Sequence, residues 1–394
     1  MIRLNEKELN KIGTLLVASY ISIPLFNQII RTVFPSLYIM SKMYLFGIIL
    51  LILIIFLKLI LQTKYKGINK YNFIFTLYIV FMLLISLLSQ KSASTSTTIV
   101  SYVIVPLLSG MIIKLDAAKL IKYLLIFSTL LLLVSNKIII VDSNGYISMG
   151  LSYIYMIPIV ASIIYIMVLI KHENKEQKYF FGILSFLQLS ILLKLLQYGS
   201  RGPILSIIIV VIFLSIVKWD YNKNQIIFKG TKITLWLVVL FLFVLNIDFI
   251  LQFIGEVLEK MSISSQLIEK TIRLSKTQSV LNGRNKIYSI GWDGFVSRPI
   301  FGHGVSSFEY YTGIIYPHNF ILQFLFDGGI LLFIIMFSII LRGVNRMKID
   351  VNQYLIFSLL FFISVPGAML SGDIWRNTEF WLYIGFSISS LHRN

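Results

Sequence analysis

The chain has 394 residues, of which 57% are hydrophobic and only 13% charged, and its mean hydropathy is +0.85. So apolar a chain cannot hide its side chains in a water-soluble core and must use lipid as solvent. The absence of cysteine excludes a disulfide framework, a thiolate metal site and a cysteine nucleophile. The formal charge of +18 is then a question of which loops carry it, not a signal for nucleic acid.

Met1 to Lys11 is polar and basic, and no small-residue cleavage site follows the first apolar run, so that run is expected to be a retained span. Runs long enough to cross the hydrocarbon then predict about twelve transmembrane helices. In chain order they are Ile12–Ile30, Tyr38–Leu61, Phe73–Ser89, Ile99–Ile113, Leu120–Val141, Gly150–Ile170, Tyr179–Tyr198, Pro203–Val217, Ile233–Leu251, Phe320–Leu341, Tyr354–Leu370 and Trp375–Leu391. Basic clusters alternate along them: Arg3, Lys7 and Lys11; Lys64, Lys66 and Lys70; Lys114, Lys119 and Lys122; Lys171, Lys175 and Lys178; Lys218, Lys223, Lys229 and Lys232; Arg342, Arg346 and Lys348. The intervening short loops hold mostly single cations, which by the positive-inside rule places both termini in the cytoplasm. The run Leu120–Val141 is interrupted by Ser135, Asn136 and Lys137, yet omitting it would invert everything after it and spoil the alternation.

The expected fold class is therefore an all-α polytopic integral membrane protein with no internal repeat. It divides into a membrane domain over 1–251 with nine spans, an extracytoplasmic loop over 252–318, and a membrane domain over 319–394 with three. A loop that long is more often functional than incidental. Phe253, Ile254, Val257, Leu258 and Met261 recur at helical spacing and predict an interfacial helix. A second amphipathic segment runs through Ile263, Leu267, Ile268 and Leu274, and a third from Lys286 to Val296.

Three places could carry chemistry. Gly199–Pro203 is a tight exterior turn that sets Arg201 beside a helix N-terminus, where a guanidinium, free N–H groups and a positive dipole end together suit a diphosphate. A snorkelling interfacial arginine is the equally weighted alternative. Lys194, Gln197, Tyr198 and Arg201 share one helical face by spacing, which favours a polar cavity. In the long loop, Asn282, Gly283 and Arg284 stand among Arg273, Lys276 and Lys286, alone an ordinary solvated basic run. Where the loop meets the tenth span, His318 and Asn319 are expected at a helix start, whose dipole favours a neutral imidazole able to accept a proton. His303, between Gly302 and Gly304, is its rival but reads as a turn residue. There is no Asp-x-Asp, no exterior His and carboxylate cluster at metal-ligand spacing, no Walker motif and no Gly-x-Ser-x-Gly.

At these residues the chain resembles the O-antigen ligase and polysaccharide polymerase family of membrane glycosyltransferases. The resemblance rests on Ser200, Arg201 and Gly202 ahead of an apolar span, then Gly283 and Arg284, then Trp292, Pro299, Gly302, Gly304 and Phe308. It continues through His318 and Asn319 to Asp327, Gly328 and Gly329, and the late stretch Ser371–Asp373 to Phe380 and Trp381 also looks like polymerases of this group. The first half matches only in being hydrophobic. The resemblance implies a GT-C-like fold and a metal-independent transfer of a glycan from polyprenyl (undecaprenyl) diphosphate, with no cofactor. It implies Arg201 and Arg284 as ligands of the lipid diphosphate and His318 as the base for the acceptor hydroxyl; the residues' own positions make Lys194, Tyr198, Asn319, Arg273 and His303 the candidates for support. The implied partners are lipid-linked oligosaccharide donor and acceptor, the bilayer and other polysaccharide-assembly proteins, at the outer face of a bacterial cytoplasmic membrane. A repeat-unit polymerase is the leading expectation. A ligase of finished polymer is the close alternative, and a flippase of lipid-linked oligosaccharide a third.

Overall fold

The computed structural model describes residues 6–33, 99–138, 149–198, 201–236, 284–370 and 372–389, with a few isolated positions elsewhere. The expected spans Tyr38–Leu61 and Phe73–Ser89, most of Ile233–Leu251, the first two interfacial helices and Arg273 lie outside the described residues. In chain order the elements are α1 (Glu6–Ile21), α2 (Ile23–Val33), a π-helical turn (Val100–Ile104), α3 (Val105–Ile112), α4 (Ala117–Ile138), α5 (Met149–Met167), a 3-10 turn (Leu169–His172), α6 (Lys175–Tyr198) and α7 (Arg201–Ile216). A hairpin of β1 (Val217–Asp220) and β2 (Gln225–Phe228) follows, then α8 (Arg284–Ser297), α9 (Ser307–Thr312), α10 (Phe320–Arg346), α11 (Val351–Leu370), a 3-10 turn (Ile374–Arg376) and α12 (Thr378–Ile388).

Among the described residues, three helices are long and apolar enough to cross a membrane, within α6, α10 and α11, or up to four if α1 and α2 are one broken span. Four expectations change. The first expected span divides at Ser22, whose N–H still donates to the Ala18 carbonyl. The span expected at Ile99–Ile113 opens on a π turn before Pro106, which lacks the N–H a regular turn would use. The last, expected from Trp375 to Leu391, is a 3-10 turn followed by an 11-residue helix. The β-hairpin departs from an all-α fold: Val217, Trp219, Ile226 and Phe228 alternate with Lys218, Asp220, Gln225 and Ile227, the period of a strand rather than a helix.

The chain divides into two compact units, residues 1–23, 39–120 and 284–394, and residues 24–38 and 121–283. In the first, α3 crosses α12 with glycine on both sides. A Cβ on Gly110 would lie 2.3 Å from the Leu382 carbonyl oxygen, and one on Gly385 would lie 2.1 Å from that of Leu107. Small residues at a crossing are how membrane helices reach backbone contact without a hydrophobic drive between them. Phe380, Trp381, Tyr383 and Phe386 of α12 are buried, Trp381 stacks on Trp375 at 5.3 Å, and the Tyr383 hydroxyl donates to the Ile340 carbonyl of α10 at 2.9 Å. Buried Arg346 donates to the carbonyls of Phe386 and Ser389, satisfying acceptors that the end of α12 leaves free.

In the second unit, α5 packs along α6, and α6 is tied to α4 by a buried polar knot. Ser128 Oγ donates to Gln188 Oε1 at 2.6 Å, and Gln188 Nε2 donates to the Leu125 carbonyl at 2.5 Å. Lys122 and Glu173 pair at 2.7 Å near the 3-10 turn.

Candidate functional site around His318

The site is built on a membrane helix that breaks. Inside α10, Gly329 has φ +63° and ψ −164°, a region open essentially to glycine alone, so the helix is two helices joined at a kink. A break exposes carbonyls on one side and N–H groups on the other, and lipid can satisfy neither. The turn after α8 supplies both partners. His303 N–H donates to the Phe326 carbonyl at 3.0 Å and Gly304 N–H to that of Asp327 at 2.7 Å. In return, Ile330 N–H donates to the Pro299 carbonyl at 2.8 Å, and Leu331 N–H reaches that of Ile300 at 3.5 Å. The approach is backbone to backbone: a Cβ on Gly302 would lie 2.5 Å from the Asp327 carbonyl carbon, and one on Gly329 would lie 2.3 Å from the Ile300 oxygen.

Side chains reinforce this clamp. Asp327 is buried at the kink, where its Oδ1 accepts from Ser307 Oγ at 2.7 Å and Ser307 N–H at 3.2 Å, and its Oδ2 accepts from the Trp375 indole at 2.5 Å. One carboxylate thus ties α9, α10 and the α11–α12 connection together. His303 lies with its ring stacked on Phe326 at 4.6 Å, and its Nε2 is 3.0 Å from the Gly294 carbonyl and 3.1 Å from Ser297 Oγ. Burial pushes its pKa down, the bond to Gly294 opposes that, and the Arg298 charge adds to it. His303 thus bridges the end of α8 and α10, while its Nδ1 is buried and, among the described residues, has no hydrogen-bond partner.

On this frame stands His318. Its backbone is left-handed at φ +57°, uncommon for a residue with a Cβ. Asn319, extended at φ −158°, caps α10: its Oδ1 accepts from the N–H groups of Ile321 at 2.9 Å and Leu322 at 3.3 Å. The expected helix start is therefore real, with Asn319 as its cap and His318 just before it. The imidazole meets Tyr316 edge-on at 4.5 Å. Its Nδ1 is buried and, among the described residues, has no hydrogen-bond partner. Burial and then the Arg284 guanidinium hold its pKa below the ordinary histidine value. Arg284 begins α8, half-buried, and so acts electrostatically on His318 from a segment 34 positions earlier in the chain. It acts on Tyr316 as well, whose hydroxyl is pushed up by burial and the Asp373 charge and pulled down by Arg284.

Asp373 closes the group. Its Oδ1 accepts from Gln323 Nε2 at 2.7 Å and Trp375 N–H at 3.1 Å, and its Oδ2 lies 3.5 Å from Arg376 Nε. Burial raises its pKa against those partners. Arg376 also reaches Glu309 at 3.2 Å, an exposed pair between the α11–α12 connection and α9.

The structure therefore brings Arg284, Tyr316, His318, Asn319 and Asp373 to one place. Tyr316, Asp327 and Asp373 had not been singled out for a role. A tyrosine two positions before His318 carries no sequence signal, and the three tight contacts of Asp327 come from residues 20 and 48 positions away. Of the other candidates, Lys194 is half-buried in α6, Tyr198 ends that helix, and Arg201 opens α7. The residues between Tyr198 and Arg201 lie outside the described residues, so the helical face expected for Lys194, Gln197, Tyr198 and Arg201 is described only as far as Tyr198.

A scan against protein families matches residues 184–337 to the O-antigen ligase family. That stretch runs from within α6, through α7, the hairpin and the whole clamp, to the middle of α10, and it contains Arg201, Arg284 and His318. The similarity to O-antigen ligases and polysaccharide polymerases expected from the sequence is thus shown, on a helical membrane protein. No curated protein and no solved structure matches the chain.

Proposed function

We propose that the protein is a glycosyltransferase that moves a glycan from a polyprenyl diphosphate onto the hydroxyl of a second lipid-linked repeat unit, as a polysaccharide repeat-unit polymerase. The observation that carries this reading is His318, placed before a helix N-terminus and held neutral by burial and the Arg284 charge. A neutral imidazole can accept a proton, and with Nδ1 buried the acceptor hydroxyl is left to approach Nε2. Arg284 keeps its charge and offers the fork geometry of a diphosphate ligand. The family resemblance gives Arg201 the same role, which its position at the start of α7 supports.

Transfer at an anomeric carbon passes through an oxocarbenium-like transition state. Arginines on the diphosphate stabilise the leaving group while His318 takes the acceptor proton as the new glycosidic bond forms and the anomeric C–O bond breaks. Direct displacement inverts the anomer. We read the reaction as metal-independent and as lying on the outer face of the cytoplasmic membrane with both termini inside, a reading that the alternation of basic clusters supports. The matched family's own description favours a second reading, a ligase that moves finished polymer to a different acceptor.

The test is an in vitro reaction with a defined polyprenyl-diphosphate oligosaccharide, run with and without chelator. Glycosidic product unaffected by chelator is expected, and His318→Ala should reduce its rate on the order of 100-fold to 10,000-fold. Transbilayer movement of lipid-linked glycan without bond formation would overturn the enzyme reading in favour of a flippase. In cells, deletion that leaves single lipid-linked repeats supports the polymerase, whereas deletion that leaves long lipid-linked chains supports the ligase.

A further inference from the structure

The β1–β2 hairpin has no part in the chemistry above, yet its register is fixed throughout. Four residue pairs fix its register, from Val217 opposite Phe228 to Asp220 opposite Gln225, and Lys229 N–H extends the ladder by donating to the Ile216 carbonyl at 3.0 Å. Val217 and Trp219 are buried on one face. Trp236 donates to Ser215 Oγ at 2.6 Å, which pins the segment after the hairpin to the end of α7. The rings of His172 and Tyr221 lie 3.4 Å apart, which joins the 3-10 turn after α5 to the hairpin's own turn.

This architecture gathers lysines. Alternation along an antiparallel pair puts Lys218 and Lys229 on the same face as diagonal neighbours. Lys232 follows Lys229 by three residues, its N–H donating to the Lys229 carbonyl at 2.9 Å, and the His172–Tyr221 contact brings Lys171 alongside. Like charges so placed repel, and burial together with Lys229, Lys171 and Lys232 lowers the pKa of Lys218. Two carboxylates are near and both are engaged. Asp220 Oδ1 accepts from the N–H groups of Asn222 and Lys223, and Glu173 pairs with Lys122 at 2.7 Å. Among the described residues, none of Lys171, Lys218, Lys229 and Lys232 has a carboxylate within 4.0 Å. Tyr221, in the hairpin's turn, is 37% exposed, and Phe228 is 54% exposed on the hairpin's other face, the one that carries Val217 and Trp219. Exposed aromatic groups near uncompensated lysines at the end of an apolar helix are what a headgroup layer accommodates, ring at the interface and ammonium among the phosphates.

We propose that Lys171, Lys218, Lys229 and Lys232 form a binding site for the phosphate headgroup of an anionic phospholipid, with Phe228 and Tyr221 seated in the adjoining interface. The site is independent of the glycan chemistry and stands or falls without it.

The test uses the full chain, purified after exchange into mixed micelles holding equal phosphatidylglycerol and phosphatidylcholine, with retained lipid quantified by mass spectrometry. Wild type is expected to enrich phosphatidylglycerol. Since each basic group near an anionic surface is worth roughly fivefold in partitioning, Lys218→Gln/Lys229→Gln/Lys232→Gln should lower that enrichment by about tenfold or more. The corresponding triple arginine variant should keep it. So should Lys7→Gln/Lys11→Gln/Lys119→Gln, which removes as many cations from the other unit. Equal enrichment in the triple glutamine variant, or equal loss in the control, overturns the proposal. Raising salt on wild type is the readout that needs no variant, because enrichment that resists high salt is not electrostatic. Displacement by soluble glycerophosphoglycerol as effective as by the intact lipid would show a soluble-anion site and overturn the lipid assignment.

Discussion

Replacing Gly329 by alanine tests whether the break in α10 is held by the turn after α8. At φ +63° and ψ −164° a residue with a Cβ is strained by about 1–3 kcal/mol. The new Cβ would also meet Ile300 O at 2.3 Å, Ile300 C at 2.4 Å and Pro299 O at 2.7 Å, all backbone atoms that cannot rotate away. The turn must retreat, and the first contacts it loses are the bonds from Ile330 and Leu331 to those same carbonyls. Each net bond is worth about 1 kcal/mol, and a buried group left unpaired costs about 1–3 kcal/mol. The sum, at least about 3 kcal/mol, is roughly a hundredfold in the local opening equilibrium. Amide hydrogen exchange reads this directly at His303 and Gly304, whose N–H groups donate across the break, and both should exchange about a hundredfold faster. Gly313→Ala is the control. Its φ of +69° comes with a ψ of 3°, the left-handed helical region, where an alanine costs about 1–2 kcal/mol, and nothing lies within 4 Å of the added atom, so a strained alanine without the collision should leave those amides protected. Unchanged exchange in Gly329→Ala, or equal acceleration in both variants, would refute the clamp.

The remaining predictions concern the groups the clamp positions. Burial and Arg284 both depress His318, so the imidazole stays neutral as pH falls to its ordinary value near 6.5, and the acid limb of the pH–rate profile should lie below that value. Arg284→Gln removes one depressing charge, raises the histidine pKa and should move that limb to higher pH, whereas an unmoved limb would show that His318 is not the titrating base. Asp327→Leu orphans Ser307 and the Trp375 indole together and should destabilise the unit by about 3–5 kcal/mol, read as a fall in thermal midpoint in detergent, while Asp327→Asn retains one acceptor and should lose less. The pair between Arg376 and Glu309 leaves each side chain 48% exposed, so Glu309→Gln should change stability by no more than about 1 kcal/mol.

What the sequence showed and what it hid divide along a physical line. Helix positions were legible wherever an apolar run met a polar break, as at α4, α5 and α6, because a span is a local property of about 20 residues. The helix start after His318 was legible for the same reason, since Asn319 caps its own neighbours. The 11-residue α12 was not, because its start is an Asn377 cap hidden inside an apolar run, and neither was the glycine crossing of α3 and α12, a contact between segments far apart in the chain. The motif residues show the difference most sharply. Gly302, Gly304, Asp327, Gly328 and Gly329 carry the family resemblance, and proximity to His318 in the chain invites a catalytic reading of all of them. The structure gives them a different role: Gly304 N–H bonds the Asp327 carbonyl, one of four backbone bonds that join the break in α10 to the turn, and Gly302 and Gly329 leave room for that backbone approach. A sequence pattern shared with a family of enzymes therefore need not mark the groups that touch substrate. Here most of it specifies a broken helix and the turn that repairs it. The residues left for chemistry are those whose polar atoms the fold does not consume: His303 and His318 both keep a buried Nδ1 unpaired among the described residues, but His303 commits its Nε2 to Gly294 and Ser297, whereas His318 lies in the field of the Arg284 guanidinium.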